Sequence, residues 1–129
     1  MSKITRFEDL KIWQAARSIC RDIFILTNKT EFSLDFSLKD QIMRSSGSAM
    51  DNIAEGFGRD GNKEFKHFLA IAKGSIQEVK SQLYRAVDFK YISTEEFEKI
   101  YLECDKLAGG ISKLMYHIKE TPQFKGSKY

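Results

Sequence analysis

The sequence predicts an all-α fold, an antiparallel up-down-up-down four-helix bundle formed by residues 1–129 as a single domain. Two observations predict it. Apolar residues recur at three- and four-residue steps in four separate segments, which is the period of one helix face. The chain also contains only one proline, so little interrupts these segments. With 129 residues and 42% apolar content, the chain has enough material for a hydrophobic core.

The first predicted helix covers residues 6–28. Thr5 and Glu8 have the spacing of a capping box at its start. One face carries Ile12, Ala16, Ile19, Ile23 and Leu26, and a second apolar row carries Trp13, Cys20 and Phe24. Because the two rows together span nearly half the circumference, we expect this helix either to be crowded by its neighbours or to face another subunit. Residues 28–35 are predicted to form a surface loop anchored by Phe32 and Leu34.

The second predicted helix, residues 36–57, is rich in small residues from Ser45 to Ala49. Serine and glycine are poor helix formers, so this run of small residues predicts close approach of a neighbouring backbone. A polar row follows the apolar one and consists of Ser45, Ser48, Asn52 and Glu55. We interpret this row as a hydrogen-bonded seam between helices, with a polar pocket as the alternative.

A glycine-rich stretch from Asn52 to Gly61 ends this helix. Its glycines spell G-x-G-x-x-G, but that motif binds a dinucleotide only between a strand and a helix, and here a helix precedes it. We therefore expect Gly56 or Gly58 to end the helix in the left-handed conformation. Glu55 opposes the helix dipole at this position, so it should pair with Arg59 or with free amides of the next helix.

The third predicted helix, residues 62–90, begins with Asn62 as N-cap and carries the most regular apolar row, from Phe65 to Ala86. Lysines follow beside this row at seven-residue spacing. The predicted phosphate-binding surface consists of Arg44, Arg59, Lys63, Lys66, Lys73 and Lys80. The alternative is that the lysine stems cover the apolar seam while their charged ends stay in water.

The fourth predicted helix covers residues 94–119 and opens with a capping box from Ser93 to Glu96. Gly109 and Gly110 in its middle predict a kink or close packing. Residues 120–129 are expected to fray.

No pattern of catalytic residues or metal ligands emerges. Glu64 and His67 match one half of a di-iron motif, but the second Glu-x-x-His and the further inward glutamates are missing. Cys20 and Cys104 lie among apolar residues and are expected to be buried free thiols. Since no metal or cofactor motif is complete, we expect no cofactor. The N-terminus lacks a signal peptide and no segment is long and apolar enough to span a membrane, so we expect a cytoplasmic protein.

The chain resembles the 23S rRNA intervening-sequence proteins over about residues 7–118. The most specific part of the resemblance is Asn52-Ile53-Ala54-Glu55-Gly56, with Gly58 and Arg59 behind it. The resemblance implies a bundle that assembles as a ring-like homopentamer. It also implies kinship with the accessory variability proteins of diversity-generating retroelements, which are basic, bind nucleic acid and partner a reverse transcriptase.

Two departures from the family pattern weaken the nucleic-acid expectation. Met43 and Arg44 stand where relatives carry a basic pair, and Ala49, Met50 and Asp51 replace a segment that contains a proline. The sequence therefore predicts a non-enzymatic homo-oligomer that binds RNA or DNA weakly. The alternatives are a protein–protein adaptor, accessory to a reverse transcriptase, and, more remotely, a metal-dependent enzyme.

Overall fold

The computed structural model describes the backbone of residues 4–120 and the side chains of residues 4–118. Within this range it confirms the all-α fold. Four long helices are joined by short connections, and a short helix lies between the first two. The helices are α1 (Lys11–Thr27), α2 (Thr30–Leu34), α3 (Phe36–Gly58), α4 (Asn62–Asp88) and α5 (Thr94–Glu120). Most of the predicted frayed tail lies outside the described residues.

The long helices surround one apolar core in antiparallel order. Helix α3 packs most extensively on α4, α4 packs on α5, and α1 lies against both α3 and α5. Hydrogen bonds from Ser48 to Ser75 and from Arg85 to Gln41 join α3 and α4 in opposite chain directions. The apolar positions predicted from helical spacing line the core, among them Ile19, Ile23, Ile42, Ile53, Leu69, Ile76, Leu83, Cys104 and Ile111.

The start of α1 differs from the predicted capping box. Residues Phe7–Asp9 form a turn of 3₁₀-helix, and α1 begins at Lys11 after Leu10, without a side-chain cap. Leu10 adopts an extended conformation and is buried in the core. Burial of this leucine is favourable and takes the place of a side-chain cap at the start of α1.

The predicted loop at residues 28–35 contains the short helix α2. Phe32 is buried and stacks on Tyr91 at 5.2 Å between ring centroids, whereas Leu34 is exposed, so only one of the two expected anchors is used. Asp35 caps α3 by accepting from the Leu38 amide at 3.0 Å and from the Tyr91 hydroxyl at 2.9 Å. The hydrogen bond from Leu38 is the larger cause that lowers the pKa of the Asp35 carboxyl, and the bond from Tyr91 lowers it further.

The N-termini of α4 and α5 use different caps. Gly61, with φ 93°, precedes α4, and Asn62 is its first residue, so the prediction of Asn62 as N-cap was wrong. The capping box at α5 is confirmed: the Glu96 amide donates to Ser93 Oγ at 3.1 Å, and the Ser93 amide donates to Glu96 Oε1 at 2.8 Å. Lys29 also pairs with Glu96 at 2.7 Å, which ties the end of α1 to the start of α5.

Close helix packing occurs at Gly56 and Gly110 rather than at Gly47. A Cβ atom at Gly56 would lie 2.6 Å from Phe68 Cβ, and one at Gly110 would lie 3.2 Å from Ile12 Cγ2. Around Gly47 and Gly109, no atom of the described residues lies within 4 Å of such a Cβ. The close approach predicted for the small-residue run occurs at Ser46, whose carbonyl accepts from Cys20 Sγ at 3.1 Å, and at Ser48, which meets Ser75, but not at Gly47. The tightest contact lies at Gly56, nearer the end of α3.

We expect Gly56→Ala to destabilise the fold by about 1–3 kcal/mol, because the new methyl group overlaps Phe68 and the helices must separate. The matched control is Gly47→Ala in the same helix, which should stabilise the protein by roughly 0.5–1 kcal/mol through helix propensity. Urea denaturation followed by circular dichroism measures both changes. Unchanged stability of the Gly56 variant would contradict the proposed contact.

Candidate nucleic-acid interface

The glycine-rich stretch forms the end of α3 and the turn into α4. Gly56 and Gly58 both lie within α3, and Arg59 follows in an extended conformation. The left-handed glycine is Gly61, so the prediction that Gly56 or Gly58 adopts this conformation was wrong. Gly56 is required for a different reason, because its missing side chain allows α4 to approach.

The polar row of α3 forms the predicted hydrogen-bonded seam with α4. Ser48 Oγ lies 2.9 Å from Ser75 Oγ, and the Asn52 amide donates to Ser48 Oγ at 3.0 Å and to the Ser48 carbonyl at 2.8 Å. Ser45 donates to the Gln41 carbonyl in the preceding turn at 2.9 Å. The predicted seam between helices is therefore confirmed at Ser48, whereas Ser45 and Asn52 bond within α3.

Glu55 pairs with Arg59, as predicted, through Oε2 and Nε at 3.0 Å. The guanidinium also lies over the Phe68 ring at 5.1 Å from its centroid. Arg59 therefore balances a carboxylate that would otherwise face the negative end of the α3 dipole. Both side chains are about half exposed, so the pair lies at the surface and contributes little stability.

The structure does not bring the six predicted basic residues together on one surface. Arg44 projects beside the α3/α4 seam and pairs with Asp40 at 2.9 Å. Lys73 precedes Ser75 by two residues, which places it about 160° around α4 from that seam at ~100° per residue. Lys66 and Lys80 share the direction of Lys73, since all three are seven residues apart. Arg44 thus lies beside the α3-facing side of α4, whereas the lysine row lies on nearly the opposite side of α4.

Within the lysine row of α4, Lys80 is engaged by α5. Its Nζ lies 2.6 Å from Asp105 Oδ1 and 4.8 Å from the centroid of the Tyr101 ring, and only 16% of its side chain is exposed. The Asp105 hydrogen bond raises the pKa of Lys80. Lys66 and Lys73 are half-buried, whereas Lys63 is exposed at the start of α4. None of these three lysines forms an ion pair with another described residue.

A second lysine row, which the sequence analysis did not identify, lies on α5. Lys99, Lys106 and Lys113 are seven residues apart and exposed. Lys99 Nζ lies 3.9 Å from Asp22 Oδ2, so the row borders α1. The signal in the sequence is the same seven-residue spacing as in α4. Spacing alone did not show which of the two rows is exposed.

Two carboxylates face each other beneath this row. Asp22 of α1 and Glu103 of α5 each have an enclosed oxygen with no hydrogen-bond donor among the described residues. Burial raises the pKa of Glu103, and the hydrogen bond and charge of Asp22 raise it further, while Lys99 and Lys106 act in the opposite direction. The contact with Asp22 therefore favours the protonated form of Glu103.

The remaining reactive groups do not converge. Among residues 4–118, no group of three or more histidine, cysteine, aspartate or glutamate side chains could hold a metal ion. His67 is exposed and packs edge-on against Phe68. Both cysteines are free, and burial raises the pKa of Cys20 and that of Cys104, the latter to about 12. Their thiols therefore stay protonated and are poor nucleophiles.

Comparison with known proteins supplies the family. The model for the 23S rRNA-intervening sequence protein family matches residues 8–113. The chain belongs to this family. A crystal structure of a protein of unknown function from the S23 ribosomal protein family of Bacteroides thetaiotaomicron has the same fold, with a TM-score of 0.74 and 20% sequence identity. The similarity covers 81% of this chain and 97% of that one. No curated protein sequence is significantly similar.

The family match includes both the glycine-rich stretch and the α5 lysine row. At 20% identity, the similar crystal structure supports the arrangement of helices and carries no information about ligands. None of the helices within residues 4–120 is long and apolar enough to cross a membrane.

In this 23S rRNA-intervening sequence protein, we expect Glu103→Gln to raise the melting temperature by about 2–5 °C at pH 7–8. A raised pKa means that the folded state binds the Glu103 proton more tightly than the unfolded state does. The protonated carboxyl therefore stabilises the fold at low pH, and this stabilisation is lost as the pH rises through the folded-state pKa. Glutamine keeps a neutral, hydrogen-bonding side chain at every pH.

The difference from wild type should therefore vanish near pH 4, which thermal scans across this pH range would measure. Glu98→Gln, an exposed change on the same helix, serves as the control and should leave the melting temperature nearly unchanged. An equal effect of both substitutions at pH 7–8 would contradict the carboxylate pair.

Proposed function

We propose that this chain is a non-enzymatic, self-associating helical bundle of the cytoplasm that binds nucleic acid weakly and gains affinity by repetition. Self-association is the part that the geometry supports best. The resemblance to the family suggests a ring of five copies. The two free cysteines fit a reducing compartment.

The observation that carries self-association is an exposed apolar end of the bundle. Helices α1 and α4 end here, and α2 and the start of α3 lie beside them. Five large apolar side chains at this end are between 51% and 76% exposed, namely Phe24, Ile25, Leu34, Phe36 and Phe89. Monomeric proteins rarely leave large apolar side chains clustered in water. Burial of this end against another copy would remove them from solvent.

Self-association is tested by weakening the apolar end. We expect the double variant Phe24→Ser and Phe36→Ser to dissociate at concentrations where the wild type is an oligomer, because it loses apolar surface buried between copies. Light scattering over a range of micromolar concentrations measures the mass. Leu102→Ser is the control, since Leu102 is similarly exposed but lies further along α5. A monomeric wild type would refute the proposal.

Nucleic-acid binding is supported by the exposed lysines, while the formal net charge is only +3. A single copy with so few charges would bind feebly, but a ring presents the same lysines several times and gains avidity. We expect the wild-type oligomer to bind mixed RNA at 50 mM salt and to release it steeply towards 200 mM, because the binding displaces counterions. Fluorescence anisotropy with labelled RNA measures this dependence. Absence of binding at 50 mM salt would end this part of the proposal.

Two alternatives make different predictions. As an adaptor, accessory to a reverse transcriptase, the chain would cover its apolar end with a different protein, so the isolated chain would be a monomer. As a metal-dependent enzyme, it would carry iron or manganese after purification, which elemental analysis would detect. The arrangement of His67 and the cysteines offers no support for the enzyme.

A further inference from the structure

The α5 lysine row lies along the surface between α1 and α5, which we call the α1/α5 groove. Lys99 and Lys113 are fourteen residues apart, a span of about 21 Å at 1.5 Å per residue. Helix α1 contributes the exposed Lys11. Lys11 and Lys113 line the same open cleft, of about 430 Å³, at one end of the groove. Lys99 lines a smaller cleft, of about 200 Å³, towards the other end.

This row is better suited to bind a ligand than the row on α4. Lys80 is held by Asp105 and Tyr101, and Lys66 and Lys73 are half-buried. The three lysines of α5 are all exposed, and 68% of the Lys99 side chain is accessible despite its distant contact with Asp22. A charged group that keeps its freedom at the surface loses fewer existing contacts when it binds a phosphate.

The groove also contains acids. Asp22 and Glu103 lie at its floor, Asp9 lines the larger cleft, and Glu96 lines the smaller one. Glu96 is already paired with Lys29, and Asp22 and Glu103 face each other below the lysines. Glu95 is the acid that lies exposed in line with the row, one helical turn before Lys99. The exposed charges on the α5 wall of the groove are therefore Glu95 and the three lysines.

An exposed aromatic ring follows the last lysine. Tyr116 lies three residues after Lys113, on the same side of α5, and is 64% exposed. Its ring lies 6.1 Å from that of His117 between centroids, with the two ring planes 76° apart. A row of cations with an aromatic ring is the combination by which proteins hold single-stranded nucleic acids, since phosphates meet the cations and a base stacks on the ring.

We infer that the α1/α5 groove is the nucleic-acid site of this chain, in which Lys99, Lys106 and Lys113 contact successive parts of a single-stranded backbone and Tyr116 stacks on a base. This inference rests on the nucleic-acid part of the proposed function and moves the site away from α3 and α4. An anionic membrane fits less well, because the exposed Leu102 and Tyr116 are fourteen residues apart with Gly109 between them on the same row, so no continuous apolar surface faces outward.

Two triple variants with equal loss of charge test the site. One changes Lys99, Lys106 and Lys113 to Gln, and the other changes Lys63, Lys66 and Lys73 to Gln. Binding of a labelled uridine 20-mer and of a thymidine DNA 20-mer is measured by anisotropy between 50 and 200 mM salt. Vesicles of phosphatidylcholine with phosphatidylserine provide the membrane comparison. Light scattering and thermal melting check that each variant assembles and folds.

We expect the α5 triple variant to lose about tenfold or more in affinity for both oligonucleotides at 50 mM salt, with a salt slope shallower by about 2, because three phosphate contacts are lost. The α4 triple variant should stay within about threefold of wild type. Tyr116→Phe should bind as wild type, and Tyr116→Ala should lose about 5- to 150-fold, the range for one stacked base. The triple variant Lys99→Arg, Lys106→Arg and Lys113→Arg should retain both the mass of the oligomer and its affinity for the oligonucleotides.

Other outcomes separate the two proposals. If the wild type binds neither oligonucleotide, the nucleic-acid part of the proposed function fails, and this site fails with it. If the wild type binds but the α4 triple variant weakens binding as much as the α5 triple variant, or more, the site is overturned while nucleic-acid binding stands. The site would also be overturned if the α5 triple variant lost vesicle binding but kept its affinity for the oligonucleotides.

Discussion

The contact between α3 and α4 at Gly56 determines how the bundle is arranged. A hydrogen atom is all that fits between the α3 backbone and Phe68, and nearer the middle of α3 the hydroxyls of Ser48 and Ser75 meet at 2.9 Å. Such short side chains let the two helices pack along most of their length. The four-helix core then closes around this pair, so α1 and α5 complete the bundle with a less extensive contact of their own.

The less extensive contact explains why charged groups collect between α1 and α5. Large apolar residues from both helices still reach the core, but the rim of the seam carries Asp22, Glu103 and the lysines of α5. Two facing carboxylates are unfavourable unless a proton or a cation compensates them. Lys99 and Lys106 supply part of that compensation, so the lysines that border the proposed groove also moderate repulsion within the fold.

Much of the fold followed from the sequence, because helical spacing and caps are local properties. The core positions, the Ser93 capping box and the Glu55–Arg59 pair needed only residues within a few turns of one another. The start of α1 did not, because burial of Leu10 against distant helices outweighed a local cap. The candidate site could be predicted less well than the fold. Both lysine rows have the same spacing, and only the structure shows that Asp105 and Tyr101 contact Lys80.

The two proposed surfaces have compatible positions. The apolar end is formed where α1 and α4 stop, whereas the α1/α5 groove runs towards the opposite end, where Lys11 and Lys113 meet. Ile25 belongs to both surfaces, so assembly through the apolar end would cover the cleft beside Lys99 and leave the groove open at Lys106 and Lys113. Each added copy would add another such groove. A chain with a formal net charge of only +3 gains useful affinity for a polyanion in this way, since several weak sites on one assembly act together.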